Sequence, residues 1–92
     1  MNYYVYIIIT FHKNKYYTYA GYTNNVKKRL FLHNNSKGAK FTKGKKWFLV
    51  YKKYYSSKTI AMKEEYKLKK NYKLRNKIKF NNNDKNFNST TL

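Results

Sequence analysis

Two aromatic and β-branched segments lie near the N-terminus with four polar residues between them, and this pair most constrains the fold. Residues 3–11 (YYVYIIITF) and 16–23 (YYTYAGYT) have the composition of buried β-strands. The stretch 12–15 (HKNK) is short and polar enough to form a turn. The simplest arrangement is an antiparallel hairpin, which places Tyr6 and Tyr19 on neighbouring strands.

A short helix and a long basic loop are predicted after the hairpin. Residues 26–33 (VKKRLFLH) have helical spacing, and Thr23 or Asn24 can cap the helix N-terminus. The next stretch, 34–46 (NNSKGAKFTKGKK), contains two of the three glycines and five lysines, which is typical of a loop. We therefore expect a strongly basic, irregular segment after the first helix.

The second half of the chain predicts one more strand and further helices. Residues 47–55 (WFLVYKKYY) are typical of a strand, and Ser56 or Ser57 can cap a helix that runs to about Lys70. A further short helix is predicted over residues 72–80, and the composition then becomes polar and repetitive over 81–92.

The length of the chain allows one small domain. A core built from 92 residues leaves little room for a second. We expect the domain to span residues 1–80 and residues 81–92 to form a polar, low-complexity, disordered tail. The predicted fold is α+β, with a small three-stranded, mainly antiparallel sheet flanked by helices.

The charge of the chain indicates a polyanionic partner. It contains 22 Lys plus Arg against 3 Asp plus Glu, a formal net charge of +19. An AT-rich genome would explain part of the lysine content but not the shortage of acids. Nucleic acid is the commonest intracellular polyanion, and an anionic membrane surface is the alternative partner.

Several classes of protein are excluded or disfavoured. The absence of cysteine rules out disulfides and thiolate metal sites. The longest apolar run, residues 3–10, is far shorter than the roughly 20 residues of a membrane-spanning helix, and no signal-peptide pattern precedes it. We therefore expect a cytoplasmic protein without a membrane partner.

The three carboxylates of the chain, Glu64, Glu65 and Asp84, restrict its possible chemistry. A glycosidase needs two carboxyl groups on opposite sides of a bond, whereas adjacent helical residues point about 100° apart. Two-metal nucleases usually require several acids, and a catalytic triad would depend on Asp84 in the polar tail. One carboxylate can still hold one divalent cation if phosphate and water supply the other ligands.

The helical pattern favours Glu65 over Glu64 for that role. Ala61, Met62 and Leu68 define the apolar side of the second helix, and Glu65 falls between them, whereas Glu64 lies at the edge. A carboxylate that points inward must meet a cation or hydrogen-bond donors. The alternative at this stage is a structural salt bridge between Glu65 and one of the many lysines.

The first helix contains a second candidate cluster. Arg29 and His33 are four residues apart and therefore share a face. An arginine suits a bidentate phosphate contact, and a histidine can move a proton. Each residue also has an ordinary interpretation, as a solvated surface arginine and as a surface or core histidine.

Together these motifs, in this order, resemble the GIY-YIG endonuclease family, in particular its small stand-alone bacterial members. The resemblance covers roughly residues 3–80. The sequence departs from the family name where it has Tyr4 for Gly, Val5 for Ile and Ala20 for Ile, all at apolar strand positions. The motifs that carry the resemblance are YVY at 4–6, YAG at 19–21, the Arg29 to His33 helix, the loop 36–44 and the acidic helix 61–69.

The resemblance implies a divalent-metal-dependent endonuclease that hydrolyses phosphodiester bonds in DNA by a one-metal mechanism. Glu65 would hold Mg²⁺ or Mn²⁺, Arg29 would stabilise phosphate charge, and Tyr19 would position water or phosphate. Tyr6 would activate the water. Because an ordinary tyrosine has a pKa of about 10, either a nearby cation must lower that pKa or a neighbour such as His33 must take the proton.

Substrate contacts are expected from lysines and aromatic residues of the basic loop. Phe41, Trp47 or exposed tyrosines could stack on unpaired bases if the substrate is single-stranded or branched. A non-catalytic basic nucleic-acid-binding module is the alternative function. The lysines expected to contact the backbone are Lys37, Lys40, Lys43, Lys45, Lys46 and, beyond the loop, Lys69.

Overall fold

The protein forms a three-stranded antiparallel sheet with helices on both faces, which confirms the predicted α+β fold. The structure, a computed structural model, describes residues 2–80, so the predicted tail lies outside the described residues. Within residues 2–80, no helix has both the length and the apolar character needed to cross a membrane. The elements are β1 (Tyr3–His12), β2 (Lys15–Thr23), α1 (Val26–Asn34), β3 (Phe48–Tyr55), α2 (Lys58–Lys70) and a third helix, α3, over residues 72–80.

The predicted hairpin is present, with a tighter turn than the four polar residues suggested. His12 pairs with Lys15, so only Lys13 and Asn14 form the loop. Both have positive φ, 51° and 63°, as a two-residue type I′ turn requires. The strands therefore extend further into the polar stretch than their hydrophobic pattern indicated.

The hairpin register places the two motif tyrosines on one face of the sheet. Tyr6 pairs with Gly21, and Tyr19 pairs with Ile8, two positions along each strand. Side chains two positions apart point to the same face, so Tyr6 and Tyr19 are diagonal neighbours. The absence of a side chain on Gly21 leaves room for the Tyr6 ring, which occupies that space.

β1 is the central strand, and both of its faces are buried. On one face, Val5 and Ile7 pack with Ala20 and with Ala61 and Leu68 of α2. The other face carries a second cluster, formed by Tyr6, Ile8 and Trp47 and covered in part by Leu30 of α1. The strand order β2-β1-β3 explains why β1 has an almost continuous apolar sequence.

One of the predicted helix caps is confirmed and the other is wrong. The Ser57 side chain caps α2 by accepting a hydrogen bond from the Ile60 backbone N–H. α1 is capped by Asn25, not by Thr23 or Asn24, and the Asn25 Oδ1 accepts from the Lys28 N–H at 3.0 Å. Thr23 is still paired in β2 and cannot serve as the cap, but the helix begins at Val26 as predicted.

The apolar side of α2 is narrower than predicted. Ala61 and Leu68 are buried against the sheet, but Met62 is 47% exposed, so its assignment to the apolar side is wrong. Ala61 and Leu68 are seven residues, or two helical turns, apart. The buried surface of α2 is therefore a narrow seam about one row of side chains wide. Glu64 and Glu65 flank that seam on its two sides, and Glu65 is the less exposed of the two.

Replacing Lys13 with glycine is expected to stabilise the protein. A non-glycine residue with positive φ is strained, so Lys13→Gly should raise the free energy of unfolding by about 0.5–1 kcal/mol. Urea unfolding followed by circular dichroism measures the change. The control is Lys15→Gly, placed in β2, which should lower stability. A destabilised Lys13→Gly would contradict the turn geometry.

Candidate functional site

The centre of the site is a buried hydrogen bond between Tyr6 of β1 and His33 of α1. The Tyr6 hydroxyl lies 2.8 Å from the Nε2 atom of His33. The two residues are 2% and 1% exposed, so water does not compete for the bond. Buried polar groups of this kind destabilise a fold unless they are paired, and here each satisfies the other.

The other ring nitrogen of His33 is bound by Thr42, a residue in the basic loop. His33 Nδ1 lies 2.9 Å from Thr42 Oγ1, and the Thr42 hydroxyl donates to the Ala39 carbonyl at 3.0 Å. Thr42 is fully buried. Sequence reasoning missed this residue; only its place in the loop motif 36–44 could have drawn attention to it.

Two glycines make room for the Tyr6–His33 pair. A Cβ atom on Gly21 would lie closer than 3.0 Å to the Tyr6 hydroxyl, and one on Gly38 would lie closer than 3.0 Å to His33 Nδ1. Side chains at these positions would displace one ring or the other. The small volume of Gly21 therefore makes room for the Tyr6 ring, and the small volume of Gly38 makes room for the His33 imidazole.

Tyr19 and Phe41 line the open side of the pair. The Tyr19 ring meets the His33 ring edge-on, with centroids 5.1 Å apart. Phe41 of the loop stacks on Tyr19, with centroids 6.3 Å apart and ring planes 20° apart. The Lys69 amine of α2 lies 5.9 Å from the centre of the Tyr19 ring. The two faces of the sheet therefore both contribute groups near Tyr19.

Arg29 and Glu65 act electrostatically on Tyr6, which places them in the same site. Burial raises the pKa of Tyr6 to about 12; the Arg29 charge and its hydrogen bond to Tyr6 oppose this rise, and the Tyr19 and Glu65 charges reinforce it. Burial, and then the charge of Arg29, lower the pKa of His33. At neutral pH the site therefore holds a protonated phenol beside a neutral imidazole.

Glu65 forms the salt bridge that the sequence left as an alternative. Its Oε1 lies 3.4 Å from the Lys69 amine, while Glu64 pairs with Lys67 at 3.3 Å. The Glu65 side chain is 18% exposed and that of Glu64 is 31% exposed, so Glu65 is the more enclosed carboxylate. The Lys69 side chain is largely solvated, and such a pair contributes at most about 1 kcal/mol.

The donor set fits a hard cation that retains most of its water. Within residues 2–80, no three His, Cys, Asp or Glu side chains lie close enough together to form a metal cage. Glu65 supplies one carboxylate, and Mg²⁺ commonly needs only one or two from the protein when substrate phosphate and water complete its shell. The weak bond to Lys69 leaves that carboxylate available.

The loop that carries Thr42 is closed at its base by one side chain. The Asn34 amide accepts from the Trp47 N–H at 2.6 Å and donates to the Trp47 carbonyl at 3.1 Å. Trp47 is buried, and its indole N–H donates to the Thr42 carbonyl at 2.9 Å. Trp47 is therefore a core residue, and the prediction that it could stack on a base is wrong.

The basic loop carries exposed lysines and one exposed aromatic ring, and one of the lysines contacts that ring. Phe41 is 47% exposed, and the Lys45 amine lies 5.5 Å from its ring centre and donates to its carbonyl. Lys46 instead lies over the ring of Phe48. The three other predicted lysines, Lys37, Lys40 and Lys43, are exposed.

The chain resembles known proteins over most of its described length. A family model described as the GIY-YIG catalytic domain matches residues 2–79. Among curated relatives, a UPF0213 protein of Staphylococcus haemolyticus is 50% identical over 50 residues, which cover 53% of this chain and 61% of the relative. A UPF0213 protein of Oceanobacillus iheyensis is 48% identical over 50 residues, covering 53% and 58%. The match therefore spans little more than half of each relative. No solved structure matches the chain.

Acid is expected to destabilise the protein through His33. The pKa of folded His33 is lowered from its ordinary 6.5, so in acid the unfolded chain binds more protons than the folded one. The free energy of unfolding should be highest above pH 6.5 and fall as the pH drops from there toward the lowered value. Urea unfolding across this range measures the effect.

The two histidines provide the control for this measurement. His33→Gln should flatten the acid dependence, whereas His12→Gln, a change at the hairpin turn, should leave it in place. A wild-type stability that does not change below pH 6.5, or that rises, would contradict the burial of a neutral His33.

Proposed function

The chain belongs to the GIY-YIG family, and on that premise we propose that it is a metal-dependent endonuclease that hydrolyses phosphodiester bonds in DNA. The observation that carries the proposal is the buried Tyr6–His33 hydrogen bond, with Arg29 acting on both groups. A phenol and a neutral base joined in this way form a path for a proton, next to a cation suited to phosphate. The choice of DNA over RNA rests on the family.

In this proposal Tyr6 accepts a proton from the attacking water and gives its own phenol proton to His33. A phenol with a pKa of about 12 is protonated at neutral pH, so Arg29 does not make it a free phenolate. The neutral His33 Nε2 instead accepts the phenol proton while the phenol oxygen accepts one from water. His33 thus ends the step as the charged imidazolium, and its proton later returns to solvent through Tyr6.

The water oxygen forms the new bond to phosphorus, and the bond from phosphorus to the 3′ oxygen breaks. The leaving 3′ oxygen takes a proton from solvent, so the products are a 5′ phosphate and a 3′ hydroxyl. Arg29 stabilises the charge that develops on the phosphate oxygens, and the Tyr19 hydroxyl orients water or phosphate. The Arg29 side chain is only partly buried, and its Nε atom has no hydrogen-bond partner among residues 2–80.

Glu65 would hold the divalent cation, Mg²⁺ or Mn²⁺. When bound, the ion supplies charge stabilisation at a phosphate oxygen and at the leaving 3′ oxygen. Lys69, released from Glu65, would be free to contact the phosphate backbone. Glu64 is not assigned this role, because it lines a groove formed with β3, whereas Glu65 is the carboxylate whose charge acts on Tyr6.

The two adjacent glutamates offer a matched test of the site. We expect Glu65→Ala to lower the cleavage rate by about 100-fold or more, in the range for a lost transition-state stabiliser, and to retain DNA binding. Glu64→Ala should cleave normally. Cleavage of labelled single-stranded, duplex and flapped DNA in Mg²⁺ or Mn²⁺, with and without a chelator, provides the measurement.

Two outcomes would change the conclusion. Equal losses in both variants would overturn the assignment of Glu65 as the metal ligand. Tight binding without any metal-dependent cleavage by the wild-type protein would favour the alternative function, a non-catalytic nucleic-acid-binding module.

The substrate proposed here includes an unpaired base, as in single-stranded or branched DNA. Phe41 offers an exposed ring that stacks on Tyr19, and the Lys45 amine lies 5.5 Å from the centre of that ring. Aromatic rings that stack on bases, combined with cationic side chains along the backbone, are the usual means of binding single strands. An unpaired base on Phe41 would hold its phosphate next to Tyr19.

Replacing Phe41 should weaken single-strand binding selectively. Because one stacked base contributes about 1–3 kcal/mol, we expect Phe41→Ala to raise the Kd for single-stranded DNA about tenfold and to change the Kd for duplex much less. Fluorescence anisotropy at fixed salt measures both constants. Phe31→Ala is the control, since Phe31 is also exposed but lies on α1. Equal losses on both substrates would contradict the stacking role.

A further inference from the structure

Three hydrogen bonds in series, the first two of them buried, connect the Tyr6 hydroxyl to a backbone carbonyl in the loop. They run from Tyr6 to His33 Nε2, from His33 Nδ1 to Thr42 Oγ1, and from Thr42 to the Ala39 oxygen. Tyr6, His33 and Thr42 are each at most 2% exposed, so water cannot replace a missing partner. The direction of each bond therefore depends on the protons within the series.

The Ala39 carbonyl determines these directions. A carbonyl oxygen has no proton, so in the bond from Thr42 to Ala39 the single hydroxyl hydrogen of Thr42 points toward that oxygen, which also accepts the Thr42 backbone N–H at 3.2 Å. Thr42 then offers only lone pairs to His33, and the Nδ1 atom must donate. In a neutral imidazole the other nitrogen, Nε2, is left as an acceptor, and it accepts from Tyr6.

We infer that Thr42 is a positioning residue that holds His33 in the tautomer with its proton on Nδ1 and its lone pair toward Tyr6. The catalytic consequence rests on the proposed nuclease function, whereas the tautomer itself does not. The effect of Thr42 is indirect, since its hydroxyl acts on Tyr6 only through the imidazole.

The opposite tautomer would leave a proton without an acceptor. If Nε2 carried the hydrogen, it would donate to the Tyr6 oxygen, and the phenol hydrogen would need another acceptor. The other hydrogen-bonding group on Tyr6 is Arg29, which has only donors. Thr42 would also have to turn its hydrogen from Ala39 toward Nδ1. The bond from Tyr6 to His33 and the bond from His33 to Thr42 therefore both favour the tautomer with its proton on Nδ1.

This tautomer is the one that the proposed proton transfer needs. The phenol proton can move only to a ring nitrogen with a free lone pair, which is Nε2 in this arrangement. The Nδ1–H bond to Thr42 persists after the transfer and stabilises the resulting imidazolium. Without the Thr42 hydroxyl, His33 could place its proton on Nε2 and block the transfer.

The wild-type protein alone tests the tautomer. Long-range ¹H–¹⁵N spectra of the imidazole rings distinguish a protonated from an unprotonated ring nitrogen. We expect His33 to show a protonated Nδ1 and an unprotonated Nε2 at neutral pH. His12, the second of the two histidines in the chain, lies at the hairpin turn and serves as the reference signal. A protonated Nε2 in neutral His33 would overturn the inference.

Two variants of Thr42 test its part in catalysis. Thr42→Val removes the hydroxyl with little change in shape, and we expect mixed tautomers at His33, a fall in kcat of about tenfold and a KM within about twofold of wild type. Thr42→Ser retains the hydroxyl and should restore both the His33 spectrum and kcat. An unchanged spectrum and kcat in Thr42→Val would overturn the inference.

The experiment separates this inference from the proposed function. The wild-type spectrum is recorded whether or not the protein cleaves DNA, so an inactive protein with Nδ1-protonated His33 would refute only the nuclease. If Thr42→Val fails to fold, the wild-type and Thr42→Ser spectra still decide the tautomer. An active wild type with the opposite tautomer would refute only the role of Thr42.

Discussion

The hydrogen bond between Tyr6 and His33 is the interaction on which the rest of the site depends. It joins the central strand to the first helix through two side chains that are each at most 2% exposed. The close approach of the two rings requires glycine at positions 21 and 38, and the second imidazole nitrogen requires a partner, which the loop supplies through Thr42. One buried polar contact thus dictates residues in β2 and in the loop.

The resting site combines an uncharged pair, the Tyr6 phenol and the His33 imidazole, with the positive charge of Arg29. Burial keeps the phenol protonated and the imidazole uncharged, although the chain as a whole has a net charge of +19. The charge of Arg29 lowers the pKa of Tyr6, against the effect of burial, and it lowers the pKa of His33, in the same direction as burial. An arginine and an imidazole can therefore be neighbours, because the imidazole carries no charge in the resting site.

The sequence predicted the parts of the molecule that follow local patterns and missed those that depend on tertiary contacts. The hairpin, the cap at Ser57 and the α+β fold follow from periodicity and capping preferences. Met62 was wrongly assigned to the apolar side, because a helical pattern does not show how few positions of the helix contact the sheet. Trp47 was wrongly expected to stack on a base, because an aromatic residue among lysines is typical of a nucleic-acid contact. Thr42 had no local signal, since its importance comes from bonds to His33 and Ala39.

The asparagine bridge at the base of the loop has a consequence for how this scaffold can diversify. Asn34 binds both backbone groups of Trp47, which makes the loop a closed ring with fixed ends. Because the entropy of a closed loop changes slowly with its length, residues added near the exposed Gly44 would cost little in stability. Insertions can therefore change the exposed part of the loop while its buried part, through Thr42, continues to hold the imidazole.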